Sequence, residues 1–100
     1  MPVVHTASQV LALPEELCIA EIRGVRGRID EAVASGARRL VLDLTATDLV
    51  TTAALRVFES TERRLTGLGG ALNLRNPRPL PLRVLQITGF DRLLEPGLAR

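Results

Sequence analysis

The sequence predicts an α/β domain: a mixed β-sheet of about four strands covered by helices, in the order β-β-α-β-α-β-α. Three observations carry this. Leu40-Val41-Leu42-Asp43-Leu44 is a short, almost continuously apolar run. The segments on either side of it repeat apolar residues at helical spacing. Ala71-Leu72-Asn73-Leu74-Arg75 then alternates apolar and polar residues behind Gly69-Gly70.

Val3 to Thr6 and Gln9 to Leu13 are weaker strand candidates, and together they predict an N-terminal hairpin at the sheet edge. From Cys18 to Ala34, the residues Ile19, Ile22, Ile29 and Val33 recur at spacings of 3, 7 and 4, one apolar face of a helix. Gly24 and Gly27 weaken that helix by about 1 kcal/mol each relative to Ala. Ser35-Gly36 ends it, with Gly36 suited to a left-handed cap. Leu40 to Leu44 follows as a central strand covered on both faces.

A second helix is expected from Thr52 or Ala53 to Thr66, with Ala54, Leu55, Phe58, Thr61 and Leu65 inward. Glu59 and Arg63 form an outward i,i+4 pair, and Gly67 is expected to close the helix. Ala71 to Arg75 is a half-buried strand. A third helix starts near Pro81, after the loop Asn76-Pro77-Arg78-Pro79. Leu82, Leu85 and Thr88 line it, Gly89 ends it, and Asp91 to Leu94 adds one last turn. Strands alternating with helices imply right-handed crossovers and a partly parallel sheet.

Composition narrows the function. The 100 residues make one domain, 1–100, with 46% hydrophobic residues and only two aromatics, Phe58 and Phe90. One cysteine, Cys18, excludes an internal disulfide, and with the single histidine it cannot build a structural zinc site. A reducing, cytoplasmic setting is therefore expected. Met1 to Thr6 lacks a basic segment followed by a long apolar run, so no signal peptide is expected. No stretch approaches ~18 apolar residues, so no membrane insertion is expected. All 13 cations are Arg, but 11 carboxylates are interspersed and the net charge is +2. Without a one-sign cluster or stacking aromatics, no direct nucleic-acid contact is expected.

No catalytic set, metal site or cofactor motif emerges, so the chain is not expected to be an enzyme. His5 stands alone at the terminus. Cys18 lies at a helix start, where a dipole can lower a thiol pKa, but no His is near it in sequence, and an inert, partly buried Cys is expected. Glu15 and Glu16 suit the positive end of the first helix. Gly67, Gly69 and Gly70 follow a helix and precede a strand, the reverse of a phosphate loop, and read as a turn. One segment stands out. Leu49-Val50-Thr51-Thr52-Ala53-Ala54-Leu55 sets two hydroxyls where a helix begins. Either Thr51 or Thr52 can be the N-cap. A phosphate there would meet free amides and a positive dipole end, and would add about −1.5 to −2 charge to a docking face.

Leu42-Asp43-Leu44-Thr45 followed by Leu49 to Leu55 resembles the STAS-domain signature, Leu-Asp-Leu-Ser, a spacer, then Phe-Ile-Asp-Ser-Ser-Gly-Leu. Gly69 to Pro77 resembles the family's Gly-Gly-x-Leu-x-Leu-x-Asn-Pro strand and turn, and Arg83 to Leu94 resembles its final helix. The resemblance implies a single STAS-like domain and a bacterial anti-sigma factor antagonist. Such proteins bind a kinase-type anti-sigma factor of the GHKL class and release the sigma factor. Phosphorylation on the second serine of the signature blocks that binding. Here the signature's Asp falls on Thr51, its first Ser on Thr52, the phosphoacceptor Ser on Ala53 and the Gly on Ala54. Cys18 stands where members often carry Asp. The usual switch therefore has no hydroxyl at its usual position.

The expected function is a protein-binding regulatory module. Thr52 is the first candidate phosphoacceptor and Thr51 the second. The expected partner surface comprises Thr51, Thr52, Ala53, Ala54, Leu55, Arg56 and Glu59, with Glu15 and Glu16 beside it. The alternative is a non-catalytic STAS subunit of a larger assembly, such as a stress-sensing complex or a lipid-transporter accessory subunit. A monomer or weak dimer is expected when the partner is absent, because no heptad pattern or aromatic hot spot appears.

Overall fold

A computed structural model of the chain describes residues 7–96. In chain order the elements are β1 (Ala7–Ala12), β2 (Glu16–Leu17), α1 (Ile19–Ala34), β3 (Ala37–Asp43), β4 (Leu49–Val50), α2 (Thr52–Gly67), β5 (Ala71–Arg75) and α3 (Pro79–Thr88), then a 3-10 turn, Phe90–Leu93. Strands β1, β3 and β5 form one sheet with β3 in the middle, and every pairing in it is parallel. Strands β2 and β4 pair separately, also in parallel. The expected strand Val3 to Thr6, and the hairpin it would complete, lies outside the described residues. The second candidate, Gln9 to Leu13, is realised as β1, which runs parallel to β3 with Leu11 opposite Leu42.

Leu40, Leu42, Leu72 and Leu74 lie on one face of the sheet and are buried. Helices α1 and α2 pack against each other and against this sheet. The opposite face, with Val41 and Asn73, is only half-buried, and Val10 on it is exposed. Coverage of β3 on both faces, as its apolar run suggested, is thus not complete among the described residues.

The helices differ from their expected patterns in five places. Ile19 is exposed, because it opens the first turn of α1 before the helix reaches the core; Ile22, Val25, Ile29 and Val33 are buried as a continuous stripe. In α2, Val57 is buried and Leu55 only half-buried, so the inward stripe is rotated slightly from the expected one. Gly67 is the last helical residue, and the chain turns at Gly69, with φ +81°. There Gly69 N donates to Thr66 O and Gly70 N to Leu65 O, the two bonds of a Schellman closure. Helix α3 begins at Pro79, earlier than expected, since prolines are tolerated throughout a first turn where amides have no partner. Thr88 is exposed and bonds back to Val84 O at 2.7 Å, so it lines no core. Gly36 and Gly89 adopt the left-handed conformation expected of them.

The segment after α3 seals the outer edge of β5. Leu94 bridges Leu74, Glu95 N donates to Leu74 O at 3.0 Å, and Asn73 Nδ2 donates to Leu93 O at 3.2 Å. Arg75 grips Glu95 with two bonds, of 2.7 and 3.1 Å. The guanidinium holds the Glu95 carboxyl below its usual range, against opposing desolvation. A lowered carboxylate pKa stabilises the fold above the unfolded-state value and loses that contribution as pH falls through the folded-state value.

Three outcomes follow. Leu42→Ala costs about 2–5 kcal/mol in urea denaturation, because the site is fully enclosed. Gly70→Ala destabilises by at least ~1–3 kcal/mol, because a Cβ there would overlap the Arg38 carbonyl on the neighbouring backbone. Glu95→Gln is less stable than the parent at neutral pH, and the difference shrinks as pH falls below about 4.

Candidate functional site

The segment between β3 and α2 is pinned to the segment before α1. After Leu44 the chain leaves the sheet, and Asp43 Oδ1 accepts from both the amide and the hydroxyl of Thr45. Thr47 is fully buried, and its hydroxyl donates to Pro14 O at 2.8 Å. Asp48 N donates to Glu15 O at 2.7 Å, and the β2–β4 pairing then sets Glu16 beside Leu49 and Leu17 beside Val50. Asp48 also accepts from Arg78, which ties the turn to the start of α3. Glu15 and Glu16, separated by more than thirty positions from Asp48 and Leu49 in sequence, therefore stand directly beside the turn.

Thr51 is the N-cap of α2. Its oxygen accepts from Ala54 N at 3.3 Å, and its hydroxyl donates to Leu17 O. Both functions of the hydroxyl are occupied, so Thr51 is a structural clasp between two chain segments. Thr52 is exposed and makes no side-chain hydrogen bond among the described residues. Ala53 is half-buried on the first turn. Ala54 is fully buried and contributes through its small volume, letting α2 sit close to the core. Leu55 is half-buried against the core, while Arg56 and Glu59 are exposed. Glu59 meets Arg63 at 3.7 Å as expected, but a pair this exposed contributes little.

Two apolar residues on the rim were not foreseen. Ile19 is 75% exposed just after β2, and Leu49 is 45% exposed on β4. The signal for Leu49 lies in strand alternation: Val50 points inward, so its neighbour must point out. For Ile19 the first-turn position was the clue, since helical periodicity alone placed it inside.

Cys18 precedes α1 as its N-cap residue and is half-buried. Its Sγ lies 2.9 Å from Glu21 Oε1. That hydrogen bond, followed by desolvation and the charges of Glu21 and Glu16, pushes the thiol pKa up. A thiol whose pKa is raised beside carboxylates is a poor nucleophile. His5 lies outside the described residues. Among the described residues no group of three His, Cys, Asp or Glu side chains is placed to hold a metal, and no helix is long and apolar enough to cross a membrane.

The chain belongs to the STAS domain family, whose model matches residues 1–99. Solved structures with the same fold include the anti-sigma factor antagonist SpoIIAA in its unphosphorylated form. It has a TM-score of 0.80 at 19% identity, covering 94% of this chain and 83% of that one. The phosphorylated form of the Bacillus cell fate determinant SpoIIAA matches with a TM-score of 0.72 at 19% identity, covering 94% and 86%. The protein TM1081 matches with a TM-score of 0.76 at 23% identity, covering 94% and 75%. No curated protein matches the chain.

Loss of the Thr51 clasp has a measurable consequence. Thr51→Ala costs about 1–3 kcal/mol, combining a lost cap with an unpaired Leu17 carbonyl, while Thr51→Ser recovers most of it. Thermal denaturation of the three proteins checks this.

Proposed function

We propose that this STAS domain is a non-catalytic binding module of the anti-sigma-factor-antagonist kind, docking a GHKL-type kinase anti-sigma factor through the first turn of α2. The observation that supports this most is the pre-set turn itself. Thr47 and Thr51 clamp it to the β2 segment, so its shape is fixed before any partner arrives and little ordering entropy is lost on docking. Around it, exposed Thr52 and half-buried Ala53 form a low surface that a partner backbone can approach. Ile19 and Leu49 offer apolar anchors, and Glu15, Glu16, Arg56 and Glu59 supply a charged rim. The likeness to SpoIIAA structures supports a protein partner of the anti-sigma type. In this reading the cytoplasm is the working compartment.

With alanine at position 53, docking is not interrupted by phosphate at that position. Thr52 is the hydroxyl left available, because Thr51 is already committed to Leu17 and Ala54. A phosphate on Thr52 would sit at the first turn of α2, where the dipole tolerates it in the free protein.

A second reading, a non-catalytic subunit of a larger assembly, is favoured by one observation. Leu80 and Ile87 are 74% and 75% exposed on α3, which leaves that helix an apolar outer stripe. Light scattering separates the readings: a monomer or weak dimer accords with the first, a stable multimer at micromolar concentration with the second.

Ala53→Asp is expected to weaken binding to the kinase partner by more than about tenfold, or ~1.4 kcal/mol, with thermal stability nearly unchanged. Calorimetric titration measures it, and unimpaired binding would move the interface elsewhere. Incubation with the kinase and ATP is expected to add one phosphate by intact mass, and Thr52→Ala to abolish it.

A further inference from the structure

A groove between α1 and α2, about 240 Å³ in volume, is lined by Arg26, Ile29, Asp30, Ser60, Thr61 and Arg64. It is separate from the first turn of α2: Thr61 lies more than two helical turns further along that helix. Its floor is Ile29 and Thr61, and its rim is polar. Thr61 is 5% exposed, yet its hydroxyl makes no hydrogen bond among the described residues and is not sealed from solvent. An almost buried residue that lines the groove and keeps an open hydroxyl offers a donor from the floor. Arg26, on the α1 wall, has no ion-pair or hydrogen-bond partner among the described residues. Arg64, on the α2 wall, is held by Asp30 at 2.6 Å through one nitrogen, Nη1, which leaves its other N–H groups available. Ser60 already donates to Val57 O at 3.2 Å and can only accept.

We propose that this groove binds a small phosphomonoester. Arg26 on one wall, the uncommitted N–H groups of Arg64 on the other and the Thr61 hydroxyl on the floor supply donors from three parts of the lining. That arrangement suits a tetrahedral oxyanion, whereas a planar carboxylate is satisfied by a single fork. Two arginines against one aspartate leave the lining with net positive charge, and Ile29 gives the ester's carbon body an apolar floor. At about 240 Å³ the groove suits a small ester.

The test is titration of the full, 15N-labelled chain with inorganic phosphate and with phenyl phosphate, using benzoate as the planar comparison and NMR as the readout. Saturable shifts are expected at Ile29, Asp30 and Thr61 and at the side chains of Arg26 and Arg64, with phenyl phosphate binding more tightly than phosphate. Arg26→Gln and Thr61→Val are each expected to weaken binding about tenfold or more. Arg26 is exposed, so its variant folds normally and serves if the Thr61 variant does not. Shifts that persist unchanged in Arg26→Gln overturn the proposal. So do shifts that spread without saturation over all arginines, or benzoate binding as tightly as phenyl phosphate. Shifts confined to the start of α2 also overturn it, and they leave the kinase-docking reading untouched. Failure of Ala53→Asp to affect that docking likewise leaves the groove untouched.

Discussion

The central position of β3 is the constraint on which the rest of the molecule depends. Among the described residues it is the one strand of the three-stranded sheet paired on both sides, and its Leu40 and Leu42, with Leu44 just past its end, are fully enclosed. Because both pairings are parallel, the chain must cross over twice, and α1 and α2 are those crossovers. Their buried stripes meet the same leucine face, so sheet and helices stabilise one another. The end of β3 also delivers Leu44 into the core, and from that fixed point the chain runs through Thr47 and Thr51 into α2.

Hydroxyl-to-carbonyl bonds then fix the shape of the loop. Thr47 and Thr51 each reach across to a carbonyl of the 14–17 segment, Pro14 and Leu17. A buried carbonyl without a donor costs about 1–3 kcal/mol, so these side chains relieve a penalty as well as linking two segments. The family signature has an acid where Thr51 stands. A carboxylate could accept from the α2 amides, but when ionised it could not donate to the Leu17 carbonyl. Threonine does both, and this gives a physical account of a departure that looked, in sequence, like simple degeneration.

Much of the fold was legible because local chemistry and tertiary demand agreed. The apolar run of β3, the alternation of β5, the left-handed Gly36 and Gly89, and an N-cap at the paired threonines all follow from rules that act over a few residues. The turn that leads into α2 was legible through its spacing from Leu42-Asp43-Leu44. Other features were not. Ile19 fits the helical period yet lies outside, because the helix starts before it meets the core. Gly67 was the nearer closing glycine, but the turn occurs at Gly69, where Gly70 can slip against the Arg38 backbone without a side chain. Strands β2 and β4 have two residues each, too few to show any period.

The sequence by itself determined the class of fold, the identity of the central strand, and the place in the chain where α2 begins with two hydroxyls and no serine. Those are properties of local pattern and of the residues present at fixed spacings. Tertiary structure alone decided which threonine is the clasp and which stays free, and it drew Glu15 and Glu16 alongside Leu49. It also opened a groove between Arg26 and Arg64, residues on different helices. Hydrogen bonds and packing between segments thirty or more positions apart depend on where the backbone passes in space, and no short-range pattern encodes that.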